Sequence, residues 1–276
     1  MTGATEGTRL KTQVTLLFVP GDRPERFTKA AASDAGGVLL DLEDAVAPEG
    51  KARARNAAVA WLAAHDGYLR INAVDTPWHD EDMAALAAAR RLRGVVLPKS
   101  ATADQVAGAV RGLPAGVPLL ALVESALGVR ESAAIAGVPG VARLLFGSVD
   151  FALDAGITPS GRVEPELLWA RSALVVASRA AGLPAPLDGV YTRLEDEAGL
   201  VASSRRSRGL GFGGRLCVHP RQVEPVHRAW RPSEEERDWA RRVVAAAGDS
   251  EGAAVRVDGQ MIDRPRLELA RALLSQ

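Results

Sequence analysis

The sequence predicts a closed (β/α)8 TIM barrel with a C-terminal helical extension, and three observations support this. Short apolar runs rich in branched residues alternate with longer Ala-, Arg- and Glu-rich runs along most of the 276 residues. Such strict alternation is typical of a parallel sheet covered by helices. Eight units fit this length, the number that closes a barrel. An open doubly wound sheet is the alternative, but Pro20-Gly21-Asp22-Arg23 is not the glycine-rich phosphate loop expected after its first strand.

Each predicted strand is followed by a predicted helix. The strands cover residues 14–20, 38–44, 68–74, 94–99, 119–124, 141–150, 187–191 and 215–219. The first helix begins at Pro24, because proline suits a first helical turn. The others cover 51–64, 80–91, 104–111, 127–136, 164–181 and 195–208, with a short one from 222.

The chain continues beyond the eighth unit, with a charged helix over 234–247 and a tail over 255–276. A barrel does not need this segment, so we expect it to cover something. The predicted organisation is an N-terminal tail over 1–13, a barrel catalytic domain over 14–230 and a helical extension over 231–276 that acts as a lid.

The composition argues against several classes of protein. Lys+Arg and Asp+Glu both total 34, and no basic patch with interleaved aromatic residues is present, which argues against a nucleic-acid partner. The single cysteine, Cys217, allows no internal disulfide and fits a reducing cytoplasm. No apolar segment reaches membrane-spanning length, and the first eleven residues lack the apolar core of a signal peptide. We therefore expect a cytoplasmic protein with no membrane partner.

Polar residues recur at the predicted carboxyl ends of the strands, where a barrel carries its chemistry. They are Asp22 and Arg23, Asp41 with Glu43 and Asp44, Arg70 and Asn72, Lys99, Glu124 and Ser125, Ser148 and Asp150, Tyr191, and His219. Polar residues scattered over the surface would not recur at the same end of successive strands. The sequence therefore predicts a functional site at this end of the barrel.

Two of these acids suggest a divalent cation. Glu124 and Asp150 stand at the ends of neighbouring predicted strands, and Gly147 lies in the turn before Asp150. Mg²⁺ takes a few carboxylates and keeps several waters for a substrate to displace, so this pair predicts a magnesium site. The alternative is that each acid caps the helix that follows it.

Arg70 lies within an otherwise apolar predicted strand, where a charge is costly unless it is paired. Its planar guanidinium matches a carboxylate, so a substrate carboxylate is the predicted partner and Asp41 or Glu43 the structural alternative. For Asp41, Glu43 and Asp44 we favour ion pairs with Arg70 and Lys99 over binding of metal waters. An ion-paired or exposed Lys99 is favoured over a Schiff-base lysine, because a metal is already implied.

These motifs resemble, in order, those of the citrate lyase beta-subunit-like (CitE-like) proteins of the HpcH/HpaI aldolase superfamily. The matching segments are 17–27, 41–46, 70–72, 97–99, 146–151, 218–222 and 258–265, and the resemblance extends over essentially 14–274. One departure is Ser125, where many relatives carry threonine.

The resemblance implies a Mg²⁺-dependent carbon–carbon lyase. Its substrate would be a 3-hydroxyacyl-CoA thioester such as malyl-CoA or citramalyl-CoA, cleaved to or formed from acetyl-CoA and a 2-keto acid, glyoxylate or pyruvate. By this resemblance Glu124 and Asp150 bind Mg²⁺ and substrate, and Arg70 holds the keto-acid carboxylate. Backbone N–H groups around Gly147 and Ser148 would help to hold that carboxylate.

The resemblance also implies a role for the tail. Asp263 corresponds to a catalytic acid that relatives supply to the site of a neighbouring subunit, so a homo-oligomer, commonly a trimer, is expected. Capping of the terminal helix is a compatible structural role for Asp263. Coenzyme A would enter over the barrel mouth near Pro20, Arg23 and Lys99.

Three alternatives to a CoA-dependent lyase stay open at this point. One is a citrate lyase beta subunit acting on a citryl thioester carried by an acyl carrier protein. Another is a barrel that binds keto acids and CoA without turnover. The third is a malate-synthase-like activity in which the thioester is hydrolysed.

Overall fold

Eight parallel strands form a closed barrel in the order of the sequence in the computed structural model, which describes residues 13–162, 164–248 and 254–275. The strands are β1 (Thr15–Pro20), β2 (Gly37–Asp41), β3 (Gly67–Arg70), β4 (Leu92–Leu97), β5 (Leu119–Val123), β6 (Val141–Phe146), β7 (Leu187–Asp188) and β8 (Gly214–Cys217). Parallel pairing of β8 with β1 closes the sheet. The predicted barrel is therefore confirmed, and the open doubly wound sheet is excluded.

Helices connect the strands and cover the barrel. They are α1 (Phe27–Ala31), α2 (Lys51–Leu62), α3 (His79–Ala85), α4 (Ala103–Gly112), α5 (Ala126–Arg130), α6 (Ser132–Ala136), α7 (Ser148–Asp154), α8 (Leu168–Ala180), α9 (Glu197–Leu210) and α10 (Val223–Trp230). Short 3₁₀ turns lie at Pro24–Arg26, Pro48–Gly50, Leu86–Ala88, Pro165–Leu167 and Pro220–Gln222. Four of these turns begin with proline, whose fixed φ suits a first helical turn. Within the described residues, no helix combines the length and the apolarity needed to cross a bilayer.

The barrel interior is filled by apolar side chains from the strands. They are Leu16, Leu39, Tyr68, Val96, Leu120, Leu122, Leu145, Leu187 and Leu216. Side chains alternate along a strand, so the residue two positions after an inward-facing one also faces inward. Phe18, Asp41, Arg70 and Glu124 occupy such positions after Leu16, Leu39, Tyr68 and Leu122. The same alternation that builds the core therefore brings charged groups together at the carboxyl end.

Arg143 lies at the opposite end of the same interior. Its fully buried guanidinium donates to the carbonyl oxygens of Ala185 at 2.7 Å and Gln13 at 2.9 Å. Burial lowers the pKa of Arg143 to about 10. Gly213 packs directly against this guanidinium and leaves no room for a Cβ atom. Arg143 therefore ties the amino ends of several strands together.

The outer wall of the barrel contains a separate buried ion-pair cluster. The Asp188 carboxylate on β7 accepts from Arg171 at 3.0 Å, from Arg215 at 2.9 Å and from the Ser207 hydroxyl. Burial opposes ionisation, but the two guanidinium groups outweigh it and lower the pKa of Asp188. This cluster binds β7 and β8 to helices α8 and α9.

The chain divides into two compact units, one ending at Arg228 and the other beginning at Ala229. The second unit contains α11 (Glu234–Gly248), an antiparallel hairpin of β9 (Val255–Val257) and β10 (Gln260–Ile262), and α12 (Arg264–Leu274). It has its own small core, formed by Ala240, Val243, Val257, Ile262 and Ala270.

The largest correction to the predicted elements concerns the sixth strand. Its predicted range, 141–150, divides into β6 and the helix α7, so Asp150 lies in the first turn of a helix and not on a strand. Phe151 and Ala152 are buried on α7, which explains why the apolar pattern continued past the end of β6. The second strand also ends early, at Asp41, and leaves Glu43 and Asp44 in the loop.

Candidate active site

Arg70 joins two acids at the carboxyl end of the barrel. Its Nε and Nη2 atoms donate to the two oxygens of Asp41, each at 2.7 Å, and Nη1 lies 2.8 Å from Glu43 Oε2. The guanidinium also lies 4.8 Å from the centre of the Phe18 ring. Burial opposes the charge, but the two acids outweigh it and raise the pKa of Arg70. Arg70 is thus a fixed cation at the mouth of the barrel.

Lys99 links this network to Glu124. The Lys99 ammonium group pairs with Glu43, and its backbone N–H donates to Glu124 Oε1 at 2.7 Å. The backbone of Lys99 is left-handed, with φ of 49°. That conformation costs a non-glycine residue about 1–2 kcal/mol. Burial raises the pKa of Glu43 in spite of its two cationic partners. The ion pairs predicted between the acid cluster and Arg70 and Lys99 are therefore present.

Among the acids at the barrel mouth, Glu124 has the most strongly shifted pKa. Burial, followed by repulsion from Glu43 and a smaller contribution from Asp150, raises the pKa of Glu124 to about 8. Its carboxylate packs against Gly147, where a Cβ atom would overlap Oε2. The residue after β6 must therefore be glycine for Glu124 to keep this position.

Neither Glu124 nor Asp150 caps a helix. The N-cap of α5 is Ser125, whose hydroxyl accepts from the Gly128 N–H at 3.1 Å. The N-cap of α7 is Gly147, which has no side chain to bond. Asp150 lies in the first turn of α7, where a negative charge is favoured by the helix dipole. Neither acid is therefore an N-cap, and only Asp150 has the helix-dipole interaction that the capping alternative included.

Glu124 and Asp150 both line two adjoining cavities. The central cavity, of about 420 Å³, also contains Arg70, Phe18 and Ser148, and the outer cavity, of about 600 Å³, contains Lys99, Val74 and Leu153. Among the described residues, neither Glu124 nor Asp150 forms an ion pair with a basic side chain. Nor does the described part of the chain contain three or more His, Cys, Asp or Glu side chains grouped as a metal site. Two acids that have no basic partner and that line the same cavities fit an ion that takes most of its ligands from water and substrate, as Mg²⁺ does.

The comparisons with known proteins identify the family. The sequence pattern of the HpcH/HpaI aldolase/citrate lyase family matches residues 14–220. The chain belongs to this family. The citrate lyase subunit beta-like protein of Deinococcus radiodurans is 38% identical over 277 residues, covering 94% of this chain and 95% of that protein. The (3S)-malyl-CoA thioesterase of Cereibacter sphaeroides is 34% identical over 273 residues, covering 95% and 93%.

The solved structures show the same relationship. CitE from Mycobacterium tuberculosis, in complex with magnesium, acetoacetate and coenzyme A, matches this HpcH/HpaI chain with a TM-score of 0.87. The two are 37% identical, and the match covers 96% of this chain and 98% of the other. The resemblance to CitE-like proteins predicted from the motifs is therefore confirmed.

The other predicted site residues of this family member lie in different settings. Pro20 lines the central cavity, whereas Arg23 is exposed and lies 3.8 Å from Asp22. Ser148 is buried at the start of α7, against Gly189. Asp263 belongs to the second unit, where its carboxylate accepts from the Arg266 N–H as the N-cap of α12. The capping role of Asp263 is therefore confirmed, and its catalytic role stays a prediction.

Lys51 was not predicted from the sequence, yet it supports the site. Its buried ammonium group donates to the backbone carbonyls of Leu42 and Glu43, both at 2.7 Å, and lies 5.0 Å from the centre of the Trp78 ring. Burial lowers the pKa of Lys51. Lys51 thereby fixes the loop that carries Glu43. Its position at the start of a helix, just after an acid cluster, was the available signal.

Proposed function

We propose that this chain is a Mg²⁺-dependent lyase that cleaves or forms the carbon–carbon bond of a 3-hydroxyacyl-CoA thioester of the malyl or citramalyl type. The products of cleavage are acetyl-CoA and glyoxylate or pyruvate. The observation that carries the proposal is the position of Glu124 and Asp150, two acids without a basic partner that line both cavities at the barrel mouth. The magnesium, keto acid and coenzyme A bound to the M. tuberculosis protein support it.

Glu124 and Asp150 would hold the ion, and Mg²⁺ supplies Lewis acidity to the oxygens of the bound substrate. Arg70 contributes a fixed positive charge beside the keto-acid carboxylate, although its guanidinium already bonds Asp41 and Glu43. Gly147 and Ser148 would add backbone N–H donors to that carboxylate. Pro20, Arg23 and Lys99 would lie along the coenzyme A.

Asp263 would act as the base that removes the α-proton of acetyl-CoA in the condensing direction. We propose that it reaches the barrel mouth of a neighbouring copy in a homotrimer, with the segment 231–276 as the lid. The exposure of Asp263 at the start of α12 supports this proposal, because its carboxylate is accessible to a neighbouring copy.

Thioester hydrolysis is the second candidate, because a (3S)-malyl-CoA thioesterase is among the relatives. The two reactions give different products from malyl-CoA. A lyase gives glyoxylate and acetyl-CoA with no free thiol, whereas a thioesterase gives malate and the free thiol of coenzyme A. Parallel assays of keto acid and of thiol therefore distinguish them.

The main experiment is to incubate the protein and Mg²⁺ with malyl-CoA, citramalyl-CoA and citryl-CoA and to follow keto-acid and thiol release. We expect keto acid from at least one substrate, and its loss in EDTA. Asp150→Ala should abolish both turnover and metal binding. Asp104→Asn, which removes an exposed first-turn acid of α4 outside both cavities, is the matched control. Neither keto acid nor free thiol from any thioester, with bound substrate detectable, would instead support a non-catalytic binding barrel.

Citryl thioesters show whether the substrate is carried by coenzyme A or by an acyl carrier protein. Turnover of citryl groups on an acyl carrier protein, without turnover of any CoA thioester, would identify a citrate lyase beta subunit instead.

The role of Asp263 between subunits has its own test. Asp263→Asn and Asp150→Ala are each expected to be nearly inactive alone. After mixing and reassembly of equal amounts, a site that combines an intact barrel with an intact tail from its neighbour regains activity. Random assembly of a cyclic oligomer predicts recovery to about a quarter of the wild-type rate. No recovery, with exchange of subunits demonstrated, would contradict action between subunits.

A further inference from the structure

We infer that Lys99 is the positioning residue for the candidate metal ligand Glu124, and that it acts through its backbone N–H and not through its charge. The inference rests on the proposed function in assigning a metal to Glu124. It differs from the expected contact of Lys99 with coenzyme A, because the group that matters here is the peptide.

The first observation is the bond itself. The Lys99 N–H donates to Glu124 Oε1 at 2.7 Å, and the described residues offer this carboxylate no other hydrogen-bond donor. The opposite oxygen, Oε2, packs against Gly147. One N–H and one glycine therefore fix the plane of a carboxylate that is 3% exposed.

The second observation is the backbone conformation. Lys99 has φ of 49°, in the left-handed region that favours glycine, so the turn after β4 is held in an uncommon conformation. Backbone outliers of this kind persist only where the surrounding structure fixes them. In that conformation the N–H of Lys99 points across to the end of β5.

The third observation explains how the turn is fixed. The next residue, Ser100, is fully buried and bonds both neighbouring strands. Its N–H donates to the Leu122 carbonyl on β5 at 3.0 Å, and its hydroxyl donates to the Leu97 carbonyl on β4 at 2.9 Å. The Lys99 peptide is thus anchored to the strand that carries Glu124, so N–H and carboxylate keep a constant separation.

The Lys99 side chain has a separate partner. Its ammonium group pairs with Glu43 and is partly exposed in the outer cavity. Charge and backbone can therefore be separated by substitution. Glycine at this position removes the ammonium group and keeps the left-handed turn, whereas valine removes the same group and disfavours the turn, because a β-branched residue at positive φ is a genuine outlier.

The experiment compares Lys99→Gly with Lys99→Val by direct Mn²⁺ titration, using calorimetry and Mn²⁺ resonance spectra without any thioester. We expect Lys99→Gly to bind Mn²⁺ within about threefold of the wild type. We expect Lys99→Val to bind it at least tenfold more weakly, in the range found when a residue that orients a metal ligand is removed. Equal affinities of the two variants, at whatever level, would overturn the inference, because disfavouring the left-handed turn would then have no effect on metal binding.

A second measurement covers the case in which Lys99→Val does not fold. Amide hydrogen exchange of Lys99 is compared between the wild type and Glu124→Ala under metal-free conditions. We expect the Lys99 amide to exchange at least tenfold faster in Glu124→Ala, with the Ser100 amide unchanged. Unchanged Lys99 exchange would overturn the inference. A protein that binds no Mn²⁺ but shows this protection would contradict the metal function while the positioning of Glu124 stands.

Discussion

The substitution Glu124→Gln tests the charge balance of the barrel mouth directly. Glutamine keeps an oxygen that can accept from the Lys99 N–H, and it replaces the ionisable carboxyl group with a neutral amide of nearly the same shape. Burial and the neighbouring acids raise the pKa of Glu124 from 4.5 to about 8. A carboxyl group whose pKa is higher in the folded state stabilises the fold fully below pH 4.5. This contribution is lost as the pH rises through 8.

The magnitude follows from the same two values. Well below pH 8 the native protein carries a protonated Glu124 and the unfolded chain an ionised one, so each pH unit costs the native state about 1.4 kcal/mol. At pH 8 half of the native groups are ionised, and above it the cost levels off. From pH 6 to pH 9 the metal-free wild type should therefore lose about 3 kcal/mol relative to Glu124→Gln, because the two proteins have the same other ionisable groups.

The assay is urea unfolding of both proteins in EDTA at pH 6, 7, 8 and 9. We expect the two free energies of unfolding to diverge as the pH rises, with the variant more stable at pH 9. At pH 9, with EDTA removed, free Mn²⁺ at one hundred times its dissociation constant should restore about 2.7 kcal/mol to the wild type alone. Parallel stability curves would refute the argument, because they would mean that Glu124 is already ionised at pH 6.

Three further substitutions test separate parts of the molecule. Arg70→Lys keeps a cation but loses the two parallel bonds to Asp41, so urea unfolding should show a loss of about 1–3 kcal/mol; no loss would contradict the bidentate pairing. Gly147→Ala places a methyl group against Glu124 and should weaken Mn²⁺ binding at least tenfold by calorimetry, and unchanged affinity would show that the carboxylate is free to move. Asp188→Asn removes the negative charge that pairs with the buried guanidinium groups of Arg171 and Arg215, and should lower the free energy of unfolding in urea by about 3–5 kcal/mol without changing Mn²⁺ affinity. A matching loss of affinity would show that the Asp188 cluster and the barrel mouth are not independent.

The fold could be predicted because its signal is repeated along the whole chain. Eight apolar runs alternating with helical runs leave few architectures, and small errors at the boundaries do not change the count. The errors occurred where one apolar run serves two elements. Residues 141–152 are continuously rich in apolar side chains, but only Val141–Phe146 form a strand, because Gly147 ends β6 and α7 begins at Ser148.

It was easier to predict which residues belong to the site than which of them bond to one another. Register alone brings Asp41, Arg70 and Glu124 to one end of the barrel, since the carboxyl ends of parallel strands share an edge. The partners of Arg70 depend on side-chain distances that register does not determine. The Lys99 N–H was not predictable either, because a left-handed lysine has no composition or spacing that indicates it.

Strand β7 has a mechanical consequence for the whole barrel. It contains only Leu187 and Asp188, paired with β6 at one position and with β8 at two, the fewest of any described barrel strand. The buried ion-pair cluster around Asp188 joins β7 to its neighbours where the hydrogen-bond ladder is short, and we expect local opening of the barrel to begin at this strand. Val190 and Thr192, just beyond it, line the central cavity. We therefore expect the wall of the central cavity to deform more readily beside β7 than beside Glu124, which follows the longer strand β5.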